Sequence, residues 1–498
     1  MTSTLSKVLI VKIDNVYGRI VSESSELMGA LYKQFAVPAH NFWFHPKYKA
    51  GVWDGKIRFV GRDGVFSNGM LKDIKEYLGK QSEYELEVDP RYDSDFPDKA
   101  ALKEEFVKIV SQLDCPLVPR YYQLRGAVKS IYLKRCINEH CTGSGKTLTM
   151  ALVCHFLMNK FPDFKFLILV PRLDLVEQFT EDFISYGIPA EMLGKFTGKV
   201  KDTKQKIIVS TWQSMAPETA FIQQFDVLLC DEVHIMSGGK VVRSVGENAI
   251  NAQYRIGFTG TLPEEFKKAE RMLATSVMGP VSDIVTTEQL IQEKSISDII
   301  IHIPYLTYPK EITAEIKKNQ KNLEGIDAER YEKKFIFDYE ARNDLIVNIT
   351  KKRIAKNENT LILVNKIAHL DTIVEHLRKS GIEPYIVSGD VKDIEERNKV
   401  RHDIEKEGGK VIVATEGVYS TGISIKRLHA IIFAAAGKSK IRTLQSVGRG
   451  LRMHESKTIL KLFDIADNLP YSIKHLQPRM EYYAKNNFQV KVREITLA

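Results

Sequence analysis

The chain has 498 residues, 44% hydrophobic and 27% charged, which suits a globular protein of roughly three domains. Its formal net charge of +9 makes the surface attractive to polyanions and points toward nucleic acid. No apolar run approaches the ~18 residues of a membrane span, the opening MTSTLSKVLIVKIDNV has no secretion-signal pattern, and Cys115, Cys136, Cys141, Cys154 and Cys230 show neither disulfide nor zinc spacing, so a cytoplasmic protein with reduced cysteines is expected.

In chain order, residues 1–95 hold short alternating runs and Gly turns, which predict a small sheet-containing domain. Within it, Lys47, Lys49, Lys56, Arg58 and Arg62 face the single acid Asp54 across 41–62, with Trp43, Tyr48 and Trp53 interleaved. Cations of this kind neutralise phosphates and rings stack unpaired bases, so Lys47, Lys49, Trp53, Lys56 and Arg58 are candidate DNA contacts. Asp54-Gly55 is also a strong turn signal, and a plain hairpin with core aromatics is the competing reading. The acidic stretch EVDPRYDSDFPDKAALKEEF reads as a connector and sets a boundary near residue 95.

From 96 to 285, apolar runs of strand length (FLILV, KIIVS, DVLLC, YRIGFTGT) alternate with helix-like segments, as a buried parallel sheet requires. HCTGSGKT, residues 140–147, opens one of these helices. A turn through Thr142, Gly143, Ser144 and Gly145 exposes successive backbone N–H groups, and the following helix adds its positive dipole end, which together favour a polyphosphate. Lys146 would reach the β and γ phosphates, and the Thr147 hydroxyl would join a Mg²⁺ shell. The strict pattern has Gly where this chain has His140, so a chance Gly-rich helix entry is the rival. FDVLLCDEVH then ends an apolar strand in Asp231 and Glu232; Asp231 can orient Mg²⁺ or its waters and Glu232 can polarise an attacking water.

Residues 286–470 begin with a strand and a lysine-rich, helix-like connector, after which TLILV, PYIVSG, KVIVATEG and HAIIFAAA repeat the α/β alternation. Two tandem doubly wound α/β domains are therefore expected, followed by a C-terminal tail, 471–498. In LQSVGRGLRMH, Arg449 and Arg452 lie three apart on one helical face, where guanidinium groups can stabilise charge on a transferring phosphoryl.

Taken together, residues 119–455 resemble the ordered motifs of a superfamily 2 helicase of the DExH kind. The resemblance implies two RecA-like motor domains, ATP and Mg²⁺ as cofactors, and a nucleic-acid-stimulated ATP hydrolase. PRYYQ resembles the adenine-reading motif and implicates Gln123; LVPRLDLVEQF implicates Pro171 and Arg172 as DNA contacts; DEVH and FTGTL implicate His234, Thr259 and Thr261 in coupling hydrolysis to movement. Further strand contacts implied are Thr197, Gly198, Thr211, Trp212, Gln213, Asn365, Lys366, Thr415 and Glu416, while QSVGRGLR adds Gln445 to the two arginines as a catalytic group. Ser424 stands where many relatives carry Asp, which weakens any ribose contact there.

FHPKYKAGVWDGKIRFV, STWQS, VYSTGIS and RMEYYAKNNFQVKV resemble, more narrowly, the UvsW-type phage helicases. That resemblance implies an N-terminal nucleic-acid-binding accessory domain and branch migration of forks and Holliday junctions in phage recombination, replication or repair, in the cytoplasm of a bacterial host. The alternatives are the motor subunit of a restriction system and an ATP-controlled nucleic-acid-binding switch that displaces no strand.

Overall fold

The computed structural model describes residues 6–237, 240–260, 262, 268–320, 323, 326–387, 402–415, 425–434, 451 and 454–497. The chain divides into two compact units, 1–285 and 286–498.

The first unit opens with strands β1 (Ser6–Lys12) and β2 (Tyr17–Val21), the short pair β3 (Ala36–Pro38) and β4 (Lys56–Arg58), then β5 (Val65–Ser67) and β6 (Tyr84–Val88). They build a small mixed sheet in the order β5-β2-β1-β6, with β3 and β4 paired apart from it. Val8, Ile10 and Ile20 alternate onto one face of this sheet and meet Leu27, Leu31, Ile74 and Leu78 from two amphipathic helices.

The parallel sheet follows, built from β7 (Arg135–His140), β8 (Phe166–Val170), β9 (Leu193–Phe196), β10 (Ile207–Thr211), β11 (Val227–Cys230), β12 (Tyr254–Thr259) and β13 (Val281–Val285). Its order is β13-β7-β12-β11-β8-β10-β9. The period of two in a strand explains the continuous apolar runs: Phe166, Ile168 and Val170 enter the core on one face, and Leu167 and Leu169 enter the core on the other. One roof is the helix Lys146–Lys160, whose Met150, Ala151, Leu152, Val153 and Cys154 are all fully buried.

The small N-terminal sheet is docked on this sheet's own helix layer. Ala269, Met272 and Leu273 of the helix Lys268–Met278 join the N-terminal core. Asn15 donates to the carbonyls of Ile250 and Asn251, each at 3.2 Å, and Arg135 donates to the carbonyls of Asn15 and Val277. At Gly69 the two backbones approach so closely that a side chain would run into the carbonyls of Thr275 and Ser276. A cut at residue 95 would therefore strip apolar surface from the helix Lys268–Met278.

The second unit contains β14 (Asp298–Thr307), β15 (Thr360–Val364), β16 (Tyr385–Val387), β17 (Val411–Thr415), β18 (Ala430–Phe433), β19 (Ile459–Asp464), β20 (Ala466–Asp467) and β21 (Gln489–Thr496). All pair in parallel, in the order β16-β17-β15-β18-β19-β14-β20 with β21 added to β14. The two doubly wound sheets expected from the apolar alternation are thus present. The stretch 471–498 is not a loose tail among the described residues: it lies almost wholly in the helix Pro470–Lys485 and in β21, which pairs with β14 from Ile300 to Thr307.

The close approach at Gly69 gives a direct test. Gly69→Val should destabilise the protein by about 1–3 kcal/mol through overpacking, read as a lower urea midpoint. Gly29→Ala, on an exposed helix position with open space around it, should instead gain roughly 0.5–1 kcal/mol.

Candidate nucleotide and nucleic-acid site

Polar groups gather at the C-terminal ends of the first unit's parallel strands, the place where open α/β sheets bind ligands. On three adjacent strands, β7, β12 and β11, these ends carry the nucleotide-type residues. β7 runs into the turn 141–145, where Gly143 (φ 90°) and Gly145 (φ 77°) take left-handed conformations closed to most side chains. Gly145 is the N-cap of the helix Lys146–Lys160, so the turn's amides and the helix dipole converge.

Lys146 Nζ donates to the His140 carbonyl at 3.4 Å and lies 3.8 Å from Glu232 Oε1. Glu232, itself at φ 50°, turns the chain directly after β11 and Asp231. Its other oxygen lies 3.2 Å from His234 Nδ1 and accepts from the Thr259 hydroxyl at 3.5 Å. His234 Nδ1 is also 2.9 Å from Thr259 Oγ1, at the end of β12. A polar chain thus runs from Lys146 through Glu232 to His234 and Thr259.

Asp231 is buried, and burial first, then the charge of Glu232, pushes its carboxyl well above the ordinary range. Its Oδ1, like the hydroxyl of Ser144, is buried with no hydrogen-bond partner among the described residues. Orphaned oxygens beside a lysine and a glycine turn suit a metal-bound polyphosphate, which would supply both a cation and further acceptors and donors.

Gln123 is 4% exposed and braces the turn. Its Nε2 donates to the Ser144 carbonyl at 2.9 Å, and its Oε1 accepts from the Arg120 amide at 2.8 Å. A purine contact through Gln123 competes with that bracing. His140, the departure from the strict glycine pattern, is fully buried below the turn. Its Nε2 is 3.0 Å from Asp283 Oδ2, and Asp283 also receives Arg125 at 2.9 Å and Lys129 at 2.8 Å. Burial pushes the His140 pKa down despite Asp283, so the ring is neutral. Burial alone would raise Asp283, but bonds from His140, Arg125 and Lys129 hold its carboxyl well below the usual range. The role of Asp283 was missed in the sequence, although a carboxylate inside the apolar strand VSDIV was the available signal.

The other half of the same sheet edge, β8, β10 and β9, carries the candidate strand contacts. Pro171 and Arg172 follow β8, Thr197 and Gly198 follow β9, and Thr211 ends β10 before Trp212 and Gln213. Gly198 and Gln213 are exposed. Arg172 pairs with Asp174 at 2.9 Å, and the Thr197 hydroxyl accepts from the Val200 amide at 3.1 Å. Two expectations change here. Trp212 is 1% exposed and packs in the core, and Thr211 is 2% exposed with its hydroxyl capping the Ser214 amide, so neither side chain is presented to a nucleic acid. In the second unit, Asn365 and Lys366 follow β15 and Thr415 ends the neighbouring β17. Thr261, Glu416, Gln445, Arg449 and Arg452 lie outside the described residues.

In the N-terminal sheet domain, Lys47, Lys49 and Lys56 are exposed, but two expected DNA contacts are engaged internally. Arg58 pairs with Asp54 through both terminal nitrogens and covers the Tyr32 ring. Trp53 donates its indole N–H to the Lys56 carbonyl at 2.9 Å and sets its ring against His45.

Three family models match the chain: "DNA helicase UvsW, N-terminal" over 11–89, "Type III restriction enzyme, res subunit" over 117–264 and "Helicase conserved C-terminal domain" over 341–454. An ATP-dependent DNA helicase, uvsW of Enterobacteria phage T4, is 29% identical over 492 residues, spanning 93% of this chain and 94% of that one. The chain is an ATP-dependent helicase similar to phage UvsW along nearly its whole length. Among solved structures, phage T4 UvsW aligns over 99% of this helicase and 100% of that chain, with 24% identity and a TM-score of 0.50. A fragment of a type I restriction HsdR subunit from Vibrio vulnificus aligns over 89% and 75%, with 17% identity and a TM-score of 0.57, and shares the fold.

The Asp283 network sets an acid limit. A carboxyl depressed in the folded state stabilises fully above its unfolded value of about 3.9 and loses that contribution as pH falls through the folded value. Asp283→Asn should therefore lower the urea midpoint at neutral pH and flatten its decline on the acid side. An unchanged midpoint across the titration would show that the network contributes no stability.

Proposed function

We propose that this chain is an ATP-dependent DNA helicase that hydrolyses ATP at the ends of β7, β11 and β12 and remodels branched DNA, forks and four-way junctions, by branch migration. The chain Lys146–Glu232–His234–Thr259 carries the reading. It links the residue placed for the phosphates to the residue placed for the attacking water, and then to the end of a neighbouring strand.

Mg²⁺, when bound with ATP, would neutralise charge on the β and γ phosphates, and Thr147 and Asp231 are the residues that would hold it. Gly143 and Gly145 present backbone amides to the phosphates, Ser144, whose amide donates to the Cys141 carbonyl at 3.2 Å, offers its hydroxyl, unpartnered among the described residues, and Lys146 adds a point charge. Glu232 orients and polarises the attacking water. His234 and Thr259 grip the same carboxylate, so a change at Glu232 on hydrolysis is passed to β12 and onward toward Thr261. Gln445, Arg449 and Arg452 act on the transferring phosphoryl group. The strand runs past the ends of β8, β9 and β10, where Arg172, Thr197, Gly198 and Gln213 and the amides opening the helix Leu173–Ser185 offer phosphate contacts. Asn365, Lys366, Thr415 and Glu416 make the corresponding contacts in the second unit.

The restriction-motor alternative draws on the name of the family model over 117–264, but the separate model over 11–89 and the whole-length likeness to a phage DNA helicase favour the present reading. A conformational switch would turn ATP over slowly and displace no strand.

Lys146→Ala should retain the fold and DNA binding while kcat for ATP falls by roughly 10²–10³ or more, as loss of a preorganised charge on the transition state entails. Arg449→Ala and Arg452→Ala should keep nucleotide binding and lose roughly 10³–10⁵ in DNA-stimulated rate. Steady-state ATPase with a linear strand, a fork and a four-way junction measures all three, and undiminished turnover in Lys146→Ala would remove the phosphate role from this turn.

A further inference from the structure

The turn 141–145 is braced at its exit by Gln123, and its entry is held by a separate device that starts from an irregular strand. β13 runs parallel to β7 with Val281 beside Ile137 and Asp283 beside Asn138, so one extra residue, Ser282, is inserted on β13. The period of two along a strand would put Asp283 on the face of Val281, which packs in the apolar core with Ile137. The insertion turns Asp283 to the opposite face, where Asn138 and His140 lie against the helix Tyr121–Leu133. From that helix Arg125 and Lys129, one turn apart, reach Asp283. Gly126 between them leaves the room that the His140 ring takes, since a side chain there would come within 2.9 Å of its Cε1.

Stability alone does not call for this imidazole. Arg125 clamps the carboxylate through two nitrogens and Lys129 adds a third bond, so Asp283 has its counter-charges without His140. The ring is fully buried, and its Nδ1 has no hydrogen-bond partner among the described residues, a cost that an apolar side chain of the same size would avoid. What the bond from Nε2 to Asp283 does is fix the residue from which the turn departs. The His140 carbonyl is the acceptor on which Lys146 Nζ rests at 3.4 Å, and the next amide, that of Cys141, donates to the Val285 carbonyl at 3.0 Å. Gly260, just after β12, lies against the same place: a side chain there would meet the Thr142 amide at 3.5 Å and the His140 carbonyl at 3.7 Å.

We propose that Asp283 is a positioning residue for ATP hydrolysis: through His140 it holds the entry of the glycine turn and the carbonyl that carries Lys146, so that amides and lysine meet the phosphates without rearrangement. This rests on the ATP-motor reading above and adds to it a residue outside the nucleotide motifs. Displacing such a frame by a fraction of an ångström is felt in the rate, because preorganised donors act only where the phosphates lie.

The test is steady-state ATP hydrolysis by the full chain with a saturating linear single strand, with urea midpoints measured alongside. Asp283→Leu keeps the volume and removes the bond to His140, so KM for ATP should rise about tenfold and kcat should fall, as the loss of one charge-assisted hydrogen bond entails. Asp283→Asn keeps a bond, because an amide can meet either tautomer of the neutral ring. It should hold KM and kcat within about twofold, while its urea midpoint falls because Arg125 and Lys129 lose their charge partner. His140→Ala should raise KM as Asp283→Leu does, and the two changes together should do no more than either alone, since the aspartate acts through the ring.

The positioning role is overturned if Asp283→Leu leaves KM and kcat unchanged while folded. It is overturned equally if Asp283→Asn raises KM as much as Asp283→Leu, for KM then follows the lost charge and not the bond to the ring, or if the effects of His140→Ala and Asp283→Leu add. Lys146→Ala in the same assay tests the motor reading separately. Full turnover there removes the phosphate role of the turn, whereas lost turnover there beside an unaffected Asp283→Leu removes the positioning role alone.

Discussion

A parallel sheet roofed on both faces leaves polar chemistry nowhere to go except the ends of its strands, and in the first unit every residue of β8, β10, β11 and β12 is buried. From this constraint follows the division of the sheet edge. Strand order β7-β12-β11 brings the glycine turn, the acidic pair and Thr259 side by side, although they are far apart in the chain. The next three strands, β8-β10-β9, then hold the candidate strand contacts. Because β11 and β8 are hydrogen-bonded neighbours, the two sets adjoin in one sheet, and the candidate phosphate contacts and the candidate strand contacts share a backbone.

The glycine turn shows how a site survives a departure from its usual pattern. A bulky imidazole below the turn would clash in a loop packed for a small residue. Here the ring lies in a pocket between Tyr122, Gly126 and Phe258, and Asp283 with two cations supplies the polar side. The substitution of His140 is therefore matched by a partner on β13, a strand that the nucleotide motifs do not include. Gln123 holds the turn from the opposite end of the same helix-and-strand unit.

What could be read from the chain was whatever local pattern dictates. Runs such as FLILV admit few structures other than a buried strand, and Gly-Ser-Gly-Lys before an apolar helix constrains the turn chemistry almost by itself. Readings that depended on which way a side chain faces were less secure. Trp212 and Trp53 are the same residue type in similarly polar surroundings, yet one is core and the other is a loop anchor, because tertiary packing decides the matter. The exposed pair Trp43 and Phe44 differs from Phe42 only in its direction from a three-residue turn. Docking of the N-terminal sheet through Gly69 and Arg135 was likewise invisible, since it joins residues more than a hundred positions apart.

The placement of β21 bears on how the second sheet is assembled. β14 carries the apolar run Ile299, Ile300, Ile301, and it obtains its outer neighbour from Gln489–Thr496, after the rest of the sheet has been made. Until that strand arrives, β14 presents a bare hydrogen-bonding edge, and closing so long a loop is a slow step. Once β21 pairs, it takes over the edge from β14, and its exposed Lys491, Arg493 and Glu494 put charge where β14 would have presented an apolar run.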